Sequence, residues 1–129
     1  MVEITWLGHG TFQFRLDSGE VVVIDPWVDG NPMYPKAHKF DRIDAILVTH
    51  GHFDHIHDAV PLAKKFKPKV VAIFETCLWL TSKGVENCSA ATRRLGGAVE
   101  AIVQRPDDAV GSTIRGYRRS GTRKPVAGG

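Results

Sequence analysis

A dense cluster of histidines constrains this chain more than any other feature of its sequence. The segment 50–58 reads HGHFDHIHD and holds four of the six histidines. It follows residues 45–49 (AILVT) directly, and that apolar run, rich in β-branched residues, predicts a buried strand. Imidazole and carboxylate groups at this density suit Zn²⁺ or another borderline divalent ion. The fold must therefore bring the end of a buried strand to a place that is open to ions.

The spacing H-x-H-x-D-H indicates which of these side chains can bind the same ion. Residues i and i+2 at a strand end point to the same side, so His50 and His52 can bind one ion. Where the chain turns into the next helix, Asp54 and His55 can face a second ion. Two ions about 3.5–4 Å apart can clamp the attacking and leaving oxygens of a hydrolytic reaction. The structural alternative is a run of solvated histidines in a loop.

Strand and helix patterns alternate along the first two thirds of the chain. A tight turn is predicted at 17–19, and residues 26–40, with three prolines, predict a long surface loop. The order of strand, loop, helix, strand and helix is typical of a layered α/β domain. Strands are predicted at 2–7, 11–16, 20–25, 45–49 and 69–74, and helices at 58–66 and 76–83.

Composition excludes several classes of protein. A chain of 129 residues with 43% hydrophobic and 24% charged residues has the balance of one soluble globular domain. No apolar run approaches the ~20 residues that a membrane-spanning helix needs. The first ten residues contain Glu3 and no basic stretch, so we expect no secretory signal and a cytoplasmic protein. In that compartment Cys77 and Cys88 are expected to be reduced thiols.

The motif THGHFDH at residues 49–55 is accompanied by ITWLGHG at 4–10, IDP at 24–26 and GNP at 30–32. Together these motifs resemble the small bacterial and archaeal metal-dependent hydrolases of the metallo-β-lactamase fold, which are relatives of the ascorbate-6-phosphate lactonases. The resemblance extends over about residues 1–87 and is most specific at the histidine cluster. It implies an αββα sandwich with metal ions bound at one edge, between the sheets.

The resemblance also implies roles for individual residues. His50 and His52 fall on ligands of a first zinc ion, with Mn²⁺ as the alternative metal. Asp54 and His55 fall on ligands of a second ion, and Asp54 would also hold and orient the nucleophile. Asp25 matches an acidic residue that supports the motif loop by hydrogen bonding, which would fix the tautomer of a ligating histidine. A plain cap for the turn at the strand end is the alternative for Asp25.

Two further histidines are expected near the site without being ligands. His9 lies in the glycine-flanked turn of the opening motif, where it would contact the substrate or support the ligands. A purely structural turn histidine is the alternative for His9. His57 is additional to the motif, and we interpret it as a loop residue beside the cleft.

The last third of the chain departs from the family. The family completes each ion with residues from the second half of its sandwich, but no histidine follows His57 here. Residues 93–129 hold 8 Lys and Arg against 3 Asp and Glu, whereas residues 1–92 hold 9 against 11. We therefore expect the N-terminal half of the fold over 1–88 and a basic, poorly ordered tail over 89–129. A shifted reading frame or a truncated gene explains such a tail better than a native basic arm.

The sequence is compatible with three functions. The first is a Zn-type hydrolase that activates water to cleave an ester, lactone, thioester or phosphodiester bond in a small molecule. The second is a non-catalytic remnant that binds metal weakly and forms a homo-oligomer through an exposed sheet face. The third is a nucleic-acid binder that uses the arginines of the tail, although Tyr117 is the tail's only aromatic residue for base stacking. Four aliphatic residues are expected to line one of the two sheet faces: Val21, Val23, Ile46 and Val48.

Overall fold

The computed structural model of the chain describes residues 1–91. The sequence also allows a strand at 99–103, but that segment and all but the first three residues of the expected tail lie outside the described residues. Within the described part, six strands and three helices follow the predicted order with two additions. Their bounds are β1 (Glu3–Trp6), β2 (Phe12–Arg15), β3 (Val21–Ile24), β4 (Ala45–Leu47), α1 (Phe53–Ile56), α2 (Ala59–Phe66), β5 (Lys69–Ala72), α3 (Phe74–Ser82) and β6 (Cys88–Ala90).

These six strands form one mixed sheet in the order β1-β2-β3-β4-β5-β6. Strand β2 is antiparallel to both β1 and β3, whereas β3, β4, β5 and β6 are parallel. The predicted turn between β2 and β3 contains Gly19 at a φ of 96°, a left-handed conformation that favours glycine. Because β3 and β4 are parallel neighbours, the segments that follow them meet at the same edge of the sheet.

One face of the sheet is covered by α2 and α3. Ala63 of α2 and Leu80 of α3 are buried in a single hydrophobic cluster with residues of the central strands. Burial of each large aliphatic side chain in such a core stabilises the fold by roughly 1.5–3 kcal/mol. The four residues expected to line a sheet face all lie in this covered core: Val21, Val23, Ile46 and Val48.

The opposite face of the sheet is also apolar. Its register places Ile4 beside Phe14 and Trp6 beside Phe12. Ile4 and Trp6 are 60% and 51% exposed, so this face is only partly covered. The expected self-association through an apolar sheet face therefore concerns this side of the sheet, and it stays a prediction.

The helix predicted over 58–66 corresponds to α2, with Asp58 at its N-cap position. The side chain of Asp58 does not cap the helix, however. One of its carboxylate oxygens accepts hydrogen bonds from the backbone N–H groups of Val28 and Asp29, at 2.6 and 3.1 Å. Asp58 therefore ties the start of the long surface loop to the segment that follows the histidine cluster.

Two elements were not expected from the sequence. The one-turn helix α1 lies inside the histidine cluster and is too short to show a helical period. Strand β6 consists of Cys-Ser-Ala, which lacks the β-branched and aromatic residues typical of strands. Helix α3 begins at Phe74, two residues earlier than predicted, because β5 ends at Ala72. None of the helices in residues 1–91 is long and apolar enough to cross a membrane.

The expectation of two reduced thiols is wrong for this structure. Cys77 and Cys88 form a disulfide that joins α3 to β6, with their Cα atoms 5.8 Å apart. The pairing depends on β6, because that strand places Cys88 beside Val70 and hence next to the buried side of α3. Neither β6 nor this proximity is recognisable from local sequence patterns. A cytoplasmic location stays a prediction.

Reduction of this disulfide is expected to destabilise the chain by about 3 kcal/mol. The estimate follows from the loop-closure entropy of cross-linking residues 11 positions apart. Urea unfolding with and without a reductant measures the effect as a shift of the midpoint. The double variant Cys77→Ser with Cys88→Ser is the control and should not respond to the reductant. A midpoint that is unchanged on reduction of the wild-type chain would contradict the prediction.

Candidate metal centre

The histidine cluster lies at the edge of the sheet where β3 and β4 end. Asp25 follows β3 directly, and its backbone N–H donates to the carbonyl oxygen of Leu47 at 2.9 Å. The cluster itself begins at His50, just beyond β4, and continues into α1. Parallel pairing of the two strands thus brings Asp25 to histidines that lie more than twenty residues further along the chain.

Asp25 is the buried centre of this arrangement. It is 4% exposed and has a φ of 47°, a left-handed conformation that is uncommon for a residue other than glycine. Its carboxylate accepts hydrogen bonds from the backbone N–H and the hydroxyl of Thr49, at 2.7 and 2.5 Å. It also accepts one from Nδ1 of His55 at 2.8 Å. Because Nδ1 of His55 carries that proton, its Nε2 is left with a lone pair.

A second histidine is oriented through the same carboxylate. The hydroxyl of Thr49 donates its one proton to Asp25, so it must accept a hydrogen bond from Nδ1 of His50, which lies 2.8 Å away. We therefore assign the proton of His50 to Nδ1 and the lone pair to Nε2. His50 and His55 thus carry the same tautomer, and their ring centroids are 4.1 Å apart.

Asp54 lies on the other side of His55. Its Oδ2 atom is 3.6 Å from Nε2 of His55, too far for a hydrogen bond, and 2.5 Å from Nε2 of His9. Partial desolvation raises the pKa of Asp54, but the hydrogen bond from His9, the backbone N–H of Asp54 and the nearby ring of His55 outweigh it. The pKa of Asp54 therefore lies below its ordinary value, and the carboxylate is ionised at neutral pH.

Two sets of side chains in residues 1–91 have ligand atoms within 4.8 Å of one another. The first set is Asp25, His50 and His55, and the second is His9, Asp54 and His55. His55 belongs to both sets and so lies at the centre of the cluster. His52 belongs to neither set, although its ring centroid is 4.6 Å from that of His50.

The 3.6 Å separation between Asp54 and His55 fits a shared ion. Zinc binds imidazole nitrogen and carboxylate oxygen at about 2.0–2.2 Å, so two ligands of one tetrahedral ion lie about 3.4 Å apart. The donor set of imidazole and carboxylate is that of a borderline divalent metal. The residues present therefore fit a zinc-type ion on the side of the cluster that holds Asp54.

His57 belongs to neither set and makes other contacts. Its Nδ1 atom is 3.0 Å from Oδ2 of Asp58, and its ring packs against Phe53 at a centroid distance of 4.7 Å. Phe53 also contacts the ring of Trp27, at 6.0 Å, and is 64% exposed. His57 thus lies beside an aromatic wall at the rim of the cluster.

Thr49 is the residue that the sequence interpretation missed. The sequence motif assigns Thr49 no role, yet its hydroxyl connects His50 to Asp25. The available signal was its position, because a hydroxyl residue next to a ligating histidine at a strand end can relay a hydrogen bond. Gly10 was missed as well: a Cβ there would lie 2.7 Å from Cε1 of His55, so only glycine fits against that ring.

Comparison with known proteins gives consistent matches over this part of the chain. Residues 3–111 match the family described as the Beta-lactamase superfamily domain. A UPF0173 metal-dependent hydrolase from Solibacter usitatus is 75% identical over 84 residues, which cover 65% of this chain and 36% of that protein. Another, from Koribacter versatilis, is 54% identical over 87 residues, or 67% of this chain and 37% of that protein.

Among solved structures, a metallo hydrolase from the hyperthermophilic archaeon Ignicoccus hospitalis superposes with a TM-score of 0.61 and 33% sequence identity. The match covers 70% of this chain and 40% of that one. The chain thus spans between 36% and 40% of the length of these three similar proteins.

Proposed function

Because the chain belongs to the beta-lactamase superfamily, we propose that its histidine cluster binds two divalent ions, Zn²⁺ or Mn²⁺, and serves a hydrolytic reaction. The proposal assigns His50 and His52 to the first ion. It assigns Asp54 and His55 to the second. Similar proteins named metal-dependent hydrolases support the reaction class, and the activity of the whole protein is part of the proposal.

The observation that carries the proposal is the hydrogen-bond chain that ends on Asp25. Asp25 takes the Nδ1 proton of His55 directly and orients His50 through Thr49. Both imidazoles are therefore held with an Nε2 lone pair available for an ion. A carboxylate behind a ligating histidine fixes its tautomer and raises its basicity. Solvated loop histidines, the structural alternative, would not require a buried carboxylate with a left-handed backbone.

When bound, divalent ions supply Lewis acidity that lowers the pKa of a water molecule to about 7 and polarises the bond to be cleaved. The protein's own contribution is position and charge. Asp54 has a lowered pKa and is ionised at neutral pH. Its carboxylate can therefore orient an attacking water by accepting a hydrogen bond. His50 and His55 are held in fixed tautomers and need no rearrangement before they bind an ion.

The proposed substrate is a small molecule with an ester, lactone, thioester or phosphodiester bond. All four bonds are cleaved by an activated water at a carbonyl or phosphoryl centre, and the fold does not choose among them. The proposal includes a cytoplasmic protein and no membrane or nucleic-acid partner. The arginine-rich segment considered for nucleic-acid binding lies outside the described residues.

Metal content provides the first test of this proposal. After loading with Zn²⁺ and dialysis against a weak chelator, the wild-type chain is expected to retain up to two ions. The double variant His50→Ala with His52→Ala should retain at least one ion fewer, because it lacks both assigned ligands of the first ion.

His38→Ala is the matched control, since His38 packs between Tyr34 and Phe40 in the surface loop and belongs to neither set of ligand atoms. Circular dichroism checks that each variant is folded. Equal metal content in the wild-type chain and the double variant would contradict the assignment. The same preparations are assayed with lactone and phosphodiester reporters, and hydrolysis must follow the metal content.

A further inference from the structure

The turn that carries His9 has an unusual backbone. His9 has a φ of 53°, in the left-handed region, and it follows Gly8 at a φ of 95°. Left-handed conformation in a histidine is costly unless the surrounding structure holds it, and such residues cluster at functional sites. The three residues with this conformation outside glycine, within the described part of the chain, are His9, Asp25 and Lys67. Two of them contact assigned metal ligands: His9 contacts Asp54, and Asp25 contacts His55.

Several contacts hold the turn in place. The side-chain amide of Asn31 donates to the carbonyl oxygen of Gly8 at 3.2 Å, and the indole N–H of Trp6 donates to that of His9 at 2.9 Å. Asn31 is 7% exposed, so this support is buried. A Cβ on Gly8 would lie 2.8 Å from the backbone of Met33, which shows how closely the surface loop packs on the turn.

The turn is also fitted against the histidine cluster. Only a glycine at position 10 leaves room for the ring of His55, as described above. The ring of His9 packs edge-on against Trp27, at a centroid distance of 5.5 Å. This packing directs Nε2 of His9 to Oδ2 of Asp54, 2.5 Å away, across 45 positions of sequence. The distance is that of a short hydrogen bond and is too small for two ligands of one ion.

We propose that His9 is a positioning residue for the second ion: its Nε2–H group donates to Oδ2 of Asp54 and fixes the direction in which this carboxylate faces the ion. The inference rests on the proposed function, because it assumes that Asp54 and His55 bind that ion. In this arrangement each assigned ligand of the second ion has its own support. Asp25 orients the imidazole of His55, and His9 orients the carboxylate of Asp54.

Two substitutions of His9 distinguish a positioning role from direct ligation of the ion. Asn accepts a left-handed backbone readily, but its side chain is too short to reach Asp54. Gln places an amide N–H about as far from the backbone as Nε2 of histidine and can restore the hydrogen bond. His9→Asn therefore removes the contact with little strain, and His9→Gln replaces it without an imidazole. His38→Asn is the matched control outside the cluster.

Calorimetric titration of the metal-free chain with Zn²⁺ measures both sites. His9→Asn is expected to weaken the second site about 10–100-fold, the usual cost of losing a group that orients a metal ligand. His9→Gln should recover most of this loss, and His38→Asn should match the wild-type chain. In the metal-free chain, proton–nitrogen NMR should show a proton on Nε2 of His9 that exchanges faster in Asp54→Ala.

Unchanged zinc affinity in His9→Asn would overturn the inference. The inference is also overturned if His9→Gln binds zinc as weakly as His9→Asn and its cobalt(II) complex has a changed absorption spectrum. Together these two results would identify His9 as a ligand. A wild-type chain without a second zinc site contradicts the proposed function instead. In that event a proton on Nδ1 rather than Nε2 of His9 would overturn the His9–Asp54 hydrogen bond as well.

Discussion

Replacing Asp54 with alanine is expected to lower metal-dependent hydrolysis by at least ~10²-fold. The carboxylate is assigned as a ligand and as the group that orients the attacking water, and a misplacement of about 1 Å at a reacting centre already costs ~10²-fold. Asp54 is also ionised at neutral pH, so the variant removes a negative charge beside the ion.

The assay uses two proteins. One is the 129-residue chain, for which we expect little turnover, because residues 1–91 offer only two assigned ligands to each ion and no histidine follows His57. The other continues after residue 87 with the corresponding C-terminal part of the Solibacter usitatus relative. This chimera should gain hydrolysis of lactone or phosphodiester reporters with Zn²⁺ or Mn²⁺.

Asp17→Ala is the matched control, because Asp17 is an exposed aspartate in the turn between β2 and β3. Equal activity of the chimera with and without Asp54 would contradict the assigned role. Robust hydrolysis by the 129-residue chain, lost in Asp54→Ala, would show that it needs no further segment. It would also contradict the expected low turnover.

The family and the fold were predictable from local features of the sequence, and both are confirmed. Strands β3 and β4 were recognisable because nearly every residue in them is apolar, as expected for strands that are buried on both faces. The histidine cluster was recognisable because H-x-H-x-D-H after a buried strand concentrates imidazole and carboxylate groups. The shared direction of His50 and His52 stays a prediction. Each of these signals is complete within about ten residues, and none depends on a distant part of the chain.

The missed features all depend on contacts between distant segments. Strand β6 has no strand-like composition and exists because β5 offers it a parallel partner. The disulfide follows from that pairing and could not be deduced from two cysteines 11 positions apart. The role of Thr49 and the direction of His9 depend on where Asp25 and Asp54 lie in three dimensions. Periodicity predicts which face a side chain points to, but not which atom it meets there.

Replacing Asp25 with asparagine is expected to weaken metal binding strongly while leaving the chain folded. Asparagine tolerates the left-handed backbone of this position, and its amide oxygen can still accept the backbone N–H of Thr49. Its NH₂ group, however, would face Nδ1 of His55 and the hydroxyl of Thr49, where the carboxylate accepts two protons. Two donors cannot face each other, so His55 must move its proton to Nε2.

That change of tautomer removes the lone pair with which His55 would bind the second ion. A buried aspartate that fixes a functional histidine has this effect elsewhere, because asparagine preserves the shape and selects the wrong tautomer. We expect a loss of zinc affinity of at least 10–100-fold, with little change in the thermal midpoint of the metal-free chain. Calorimetric titration and thermal denaturation of Asp25→Asn measure the two quantities separately.

Asp58→Asn is the matched control, since its carboxylate accepts the backbone N–H groups of Val28 and Asp29 outside the ion sites. An Asp25→Asn chain with wild-type zinc affinity would mean that Asp25 only caps the end of β3, the alternative considered for it from the sequence. A chain that fails to fold would point to that structural role too. The hydrogen bonds through Asp25 instead predict that Asp25→Asn folds but binds zinc more weakly.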